Sequence, residues 1–194
     1  MILDFEFYTS FILLNSSIKC EAPIFVRDMA MNEEYREDLN EAQEKHQDYV
    51  KLVRKFKKMK PKKLDNLINE EHDRQFEKID CLNCGNCCAT TSPIFRDVDV
   101  KRISKHFRMK PVEFEKQYLK RDEDDDLVLL TSPCAFLGDD NACSIYEVRP
   151  LACREYPHTD RKRMDPILDL TLKNSEICPA VARIFKTIES NLSR

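Results

Sequence analysis

The sequence predicts an α+β fold, mostly helical, with an N-terminal helical hairpin, a few short strands and a cysteine-bearing domain. Three observations predict it. Apolar residues recur in steps of three and four over residues 31–79 and 179–192, as on one face of a helix. Short apolar runs at 127–130 and 166–172 have strand length. Eight of the nine cysteines fall between residues 81 and 178, four of them within Cys81–Cys88. Close-spaced thiols of this kind read as metal or redox ligands, so the cysteine-cluster domain is expected to be stapled by metal. Hydrophobic residues make up 42% of the 194-residue chain and charged residues 35%, which allows a core of modest size. A net charge of −3 points to no dominant polyanionic partner.

The expected organisation is a poorly patterned leader over 1–28, a helical hairpin over 29–79 and the cysteine-cluster domain over 80–194. The leader holds Phe11-Ile12-Leu13-Leu14 but has Asp4 and Glu6 where an export signal wants positive charge, and Lys19 precedes Cys20. It is too short and polar to span a bilayer. A cytoplasmic protein with no membrane association is expected, with Met29 or Met31 as a natural start and Cys20 as a free thiol.

Residues 31–60 read as one helix, with Tyr35, Leu39, Ala42, His46, Tyr49, Leu52, Val53, Phe56 and Met59 on one face. Acids load its start and bases its end, matching the helix dipole. Pro61 breaks it, and a second helix over 62–79 presents Leu64, Leu67, Ile68, Phe76 and Ile79. A short connection between two amphipathic helices makes a hairpin, which is also the candidate surface for a protein partner. Lys51–Lys63 holds eight basic residues, but its aromatic, Phe56, lies on the apolar face. A solvated helix end is therefore favoured over nucleic-acid contact. His46 reads as a helix-face residue.

Thr90–Pro93 reads as a turn. Asp97–Phe107 follows as a helix with Val98, Ile103 and Phe107 inward, and 111–120 as another, opened by Pro111, with Phe114 and Tyr118 inward. Asp122–Asp126 is an exposed acidic loop without EF-hand spacing. The strand candidates at 127–130 and 166–172 come next, and Val181, Ile184, Phe185 and Ile188 face inward on a last helix over 179–192.

The cysteines at 81, 84, 87 and 88 are joined by Cys134, Cys143, Cys153 and Cys178. A thiolate is a soft ligand, and C-x2-C lets two of them grip one ion. C-x2-C-x2-C is also the ferredoxin presentation of three thiolates to a cubane cluster. Disulfides or inert buried thiols are the alternative. Gly85 permits a left-handed turn inside the run. Arg149 and Arg154 lie where guanidinium groups would offset thiolate charge, or would pair with Glu147 and Glu155. Tyr146 and Tyr156 are expected to pack over the site.

The pattern Cys81-x2-Cys84-x2-Cys87-Cys88, Pro133-Cys134, Cys143-Ser-Ile-Tyr-x2-Arg149-Pro150-x2-Cys153-Arg154-x-Tyr156-Pro157 and Cys178-Pro179 resembles the YkgJ-type cysteine-cluster family, over about residues 78–180. That family is described as zinc- or iron-chelating and is often labelled an iron–sulfur oxidoreductase. The resemblance implies eight cysteine ligands; it does not cover the hairpin or residues 1–28. It extends to the metal-binding part of flagellin lysine N-methylases, which are considerably longer. No separate methyl-donor motif is recognisable here.

Eight thiolates could hold two closed zinc sites, or one cubane, such as a 4Fe–4S iron–sulfur cluster, with a further site. Side chains of adjacent Cys87 and Cys88 diverge, which favours two metals or a cluster plus a second site. The triple Cys81, Cys84, Cys87 with remote Cys178-Pro179 tilts the expectation towards iron–sulfur. Two functional classes follow. One is a structural or sensory metal module; the other is a redox or protein-modifying enzyme, for which His158 is the best acid–base candidate.

Overall fold

In the computed structural model, which describes residues 31–192, the protein is a mostly helical α+β molecule built around two main cores, with a small third cluster of Tyr35, Ile79 and Ala180 against which Cys84 and Cys178 pack. The first helices are α1 (Glu33–Glu44), α2 (His46–Phe56) and α3 (Pro61–Phe76). The Asn32 side chain accepts from Glu34 N and caps α1, and Pro61 opens α3. The expected single helix over 31–60 is interrupted at Lys45 (φ −87°, ψ 10°), with no proline or glycine nearby to mark the kink. The break gives α1 and α2 different partners: both touch α9 (Pro179–Leu192), and α2 also packs on α8 (Leu168–Ser175). The apolar faces of α1–α3 are thus taken up by the chain's C-terminal helices. His46 sits at the start of α2 and is hydrogen-bonded to Glu176.

The larger core joins Tyr49, Leu52, Val53 and Phe56 of α2, Leu64 and Ile68 of α3, Met164, Leu168 of α8, and Val181, Ile184, Phe185 and Ile188 of α9. Phe185 stands 5.1 Å from the Tyr49 ring and 6.0 Å from Phe56. Burying each such side chain contributes roughly 1.5–3 kcal/mol. The expected strand over 166–172 is corrected to a 3-10 turn (Asp165–Ile167) leading into α8. Pro166 starts the turn, and Leu168, Thr171, Asn174 and Ser175 are buried at helical spacing, while Leu170 faces solvent.

The smaller core lies between. α4 (Asn86–Thr90) closes the first cysteine run, then come α5 (Asp97–His106), α6 (Pro111–Tyr118) and the antiparallel strands β1 (Leu119–Arg121) and β2 (Leu127–Leu129), in register Leu119 to Leu129. The strand expected at 127–130 is β2. The helix expected to reach residue 120 stops at Tyr118, and the chain turns directly into β1. Phe95, Val100, Ile103, Phe114, Leu119, Leu129, Phe136 and Ile145 fill this core. Val98, expected inward, is 55% exposed; Val100 takes that place because the buried carboxylate of Asp99 sets the face of α5. Phe107 stacks on Phe114, Tyr118 and Phe136, and Phe114 and Phe136 lie nearly parallel at 6.2 Å and 7°, while Tyr118 is tilted against both. A 3-10 turn (Tyr146–Val148), Pro150 and α7 (Leu151–Glu155) lead back to the larger core. The leader and Cys20 lie outside the described residues. Among the described residues no helix is long and apolar enough to cross a membrane.

Candidate metal centre

The eight cysteines occupy the junction of the two cores, as free thiols. Residues 81–88 form a tight double turn. Cys84 N and Gly85 N both donate to Cys81 O, and Asp80 accepts from Leu82 N. Gly85 adopts φ +61°, and a Cβ there would meet Asn141 Oδ1 at 2.5 Å. The bare glycine lets the 138–143 loop close over the run, where Asn141 Nδ2 donates to Leu82 O at 2.8 Å. Asn86 Nδ2 ties the run to Ile177 O at 2.8 Å, one residue before Cys178. Cys134 N donates to Cys88 O at 2.9 Å, and Leu137 bridges Cys143. Backbone bonds thus bring the distant cysteines to the run.

The thiols fall into two groups. Cys81, Cys84, Cys87 and Cys178 line one small cavity of about 50 Å³, with Phe76, Ile79, Tyr156, Pro157 and Ile177. Cys134 and Cys143 pack against the smaller core, and the Cys153 thiol senses Cys88, Cys134 and Cys143. Cys87 and Cys88, with Sγ atoms 4.0 Å apart, join the two groups. Among the described residues no three His, Cys, Asp or Glu side chains are placed to hold a metal ion as they stand.

Burial pushes most of these thiols above their ordinary range. Cys153 and Cys178 each rise to about 12, chiefly through burial. Cys87 is raised first by its hydrogen bond with Cys88 and then by burial. Cys81, Cys84, Cys134 and Cys143 rise for want of solvation. Opposing this, backbone amides are aimed at sulfur: Asn86 N at Cys84, Phe136 N at Cys134, Ile145 N at Cys143, and Ala180 N and Val181 N at Cys178. Each favours the thiolate. The pattern recurs two residues after the cysteine in both groups. The donor set therefore suits a cation that takes thiolates: neutral and protonated without one, with amides ready to stabilise sulfur charge when protons leave.

The surrounding residues divide. The Arg149 guanidinium lies 3.7 Å over the Tyr146 ring, donates to Tyr146 O, and draws the Cys143 and Cys153 thiols downward against burial. Tyr146 itself is 56% exposed. Arg154 is exposed. Tyr156 lines the cavity; its hydroxyl oxygen is buried and has no hydrogen-bond partner among the described residues. Burial first, then the thiols of Cys178, Cys87 and Cys84, raise its phenol well above the ordinary range. His158 has φ +66°, donates N–H to Glu155 O, and its ring stands 6.3 Å from Tyr156.

Sequence reasoning missed Asp99, whose carboxylate is wholly buried. It accepts from Arg96 N, Arg102 Nη2 at 2.6 Å and Leu151 N. Arg102 in turn donates to Val148 O and Arg149 O. Asp99 therefore holds the start of α7, and with it Cys153, onto α5. Its position three residues into α5 is a cap signal, but nothing local announces the contact with Leu151, 52 residues on.

A family model for CxxCxxCC, described as "Putative zinc- or iron-chelating domain", matches residues 80–179, just over half of the chain. All eight clustered cysteines fall inside it. No curated protein and no solved structure matches.

Proposed function

The chain belongs to the CxxCxxCC zinc- or iron-chelating family, and from that premise we propose that it holds metal at two four-cysteine sites. Cys81, Cys84, Cys87 and Cys178 form one; Cys88, Cys134, Cys143 and Cys153 form the other. One observation supports the reading: a single cavity is lined by Cys81, Cys84, Cys87 and the remote Cys178, and its lining does not include Cys88, Cys134, Cys143 or Cys153. Loading would draw the thiols inward and deprotonate them, with the aimed amides taking up sulfur charge.

Within this reading the first site is proposed to carry iron–sulfur, on the three-plus-one ligand order shared with ferredoxins. When bound, such a cluster supplies one-electron transfer. The chain's own residues would exclude water through Phe76, Ile79 and Pro157 and would offset thiolate charge at the second site through Arg149. A second reading, two closed structural zinc ions in a protein-interaction or protein-modifying module, is favoured by the even division into four and four. The exposed outer faces of α1–α3 are then the surface left for a protein partner.

The test is anaerobic purification with metal analysis and a visible spectrum. At least about one zinc or iron per chain is expected, and Cys87→Ser or Cys143→Ser should each lower bound metal by about half. Less than about one metal per chain with every thiol titratable in the native protein overturns the proposal. A brown chromophore that Cys87→Ser abolishes supports iron–sulfur; about two colourless zinc ions select the second reading.

A further inference from the structure

We propose that the Tyr156 hydroxyl donates a hydrogen bond to a metal-bound sulfur of the Cys81, Cys84, Cys87 and Cys178 site, and so helps set that site's affinity and electronic character. This rests on the four-cysteine assignment above. The observation behind it is an unmet demand. The Tyr156 oxygen is buried and has no hydrogen-bond partner among the described residues, and a buried hydroxyl of this kind ordinarily finds one. Its ring lines the same cavity as the four thiols. Protonated thiols are poor acceptors, whereas a thiolate bound to metal carries charge and accepts well. A tyrosine hydroxyl is ordinarily protonated at neutral pH and so can donate. At the other site Tyr146 is exposed beneath Arg149, and Ser144 Oγ donates to Phe136 O. The inference therefore predicts an asymmetry between two sites of identical ligand type.

The full chain loaded with cadmium-113, a thiolate-seeking ion, reads it by NMR. Tyr156→Phe keeps the ring and removes only the oxygen. The expected result is a shift of one cadmium resonance with the other unmoved, and roughly three- to tenfold weaker cadmium binding at the shifted site by chelator competition. In the wild type, the hydroxyl proton should couple to that same cadmium, which decides the matter even if Tyr156→Phe folds poorly. Unchanged resonances and affinity in Tyr156→Phe, or no hydroxyl coupling in the wild type, overturn the role of Tyr156 while leaving the ligand assignment standing. A wild-type chain that takes up no cadmium overturns both.

Discussion

The two cores differ in what supports them. The larger core draws on five helices and is filled by side chains such as Leu64, Met164, Leu168 and Ile184 that are fully buried. The smaller core rests on two short helices, three-residue strands and a stack of aromatic rings, and its rim is made of cysteines: Cys134 and Cys143 pack on it directly. The larger core is closed mostly by hydrocarbon, with Cys178 alone packed at its edge; the smaller is closed in part by Cys134 and Cys143. The comparison teaches that the two halves lean on the thiols to different degrees, with the metal expected to matter more to the smaller one.

The largest break should come in the larger core. Phe185→Ala removes a ring wedged between Tyr49 and Phe56 and should cost about 3–5 kcal/mol. Denaturant unfolding should give the same loss with and without chelator. A loss that depends on metal would contradict the separation of the halves.

Asp99→Ala strikes the smaller core. It leaves Arg102 and Leu151 N short of an acceptor and should cost about 1–3 kcal/mol. Hydrogen exchange should show opening of α5 and α7 before α2 or α9. The same carboxylate predicts a pH effect. Burial alone would raise its pKa, but the bonds from Arg102, Arg96 and Leu151 N more than offset that, and it lies below the ordinary value of 3.8. A lowered folded-state value means that the stabilisation is present above the unfolded-state value and is lost as pH falls below it, through the folded value. Wild-type α5 and α7 should therefore lose protection in acid below about pH 4, and Asp99→Asn should flatten that dependence.

A smaller loss is expected for Gly85→Ala. A residue with a Cβ at φ +61° is strained, and the methyl group would press on Asn141. About 1–2 kcal/mol is expected, with Gly85→Ala combined with Asn141→Gly recovering part of it. Equal losses in the single and double variants would mean that backbone strain, not the approach of the 138–143 loop, governs the position.

Much of this fold was legible. Steps of three and four placed α3 and α9, Pro111 placed the start of α6, and Pro61 ended the preceding helical stretch. The kink at Lys45 was not legible, because it is imposed by packing against α8 and α9 and leaves no mark on propensity. The segment from Pro166 misled because a short apolar run serves strand and helix alike; its buried Thr171, Asn174 and Ser175 look polar in sequence and so hid the helical stripe. β1 was hidden behind Tyr118, where ordinary helix formers continue past the helix end. At the site, the eight cysteines and the special role of Gly85 could be read from spacing. Spacing also set Cys178 beside Cys81, Cys84 and Cys87; what it could not show are the contacts that join segments far apart, such as Asn86 to Ile177 and Cys134 to Cys88.

The composition of the larger core also bears on the order in which the protein is made. Its members run from Ala42 to Ile68 and then from Met164 to Ile188, so one half of the core waits for nearly the whole chain to be synthesised. The smaller core, from Phe95 to Ile145, is contiguous. Contacts between near neighbours close with less loss of chain entropy than remote ones. During synthesis, then, the smaller core and the thiols up to Cys153 become available before Cys178 emerges, 178 − 153 = 25 residues later. The nascent chain holds seven clustered thiols while its amphipathic first helices still lack α8 and α9 to cover them. That interval is when it most needs shelter from oxidation and from aggregation.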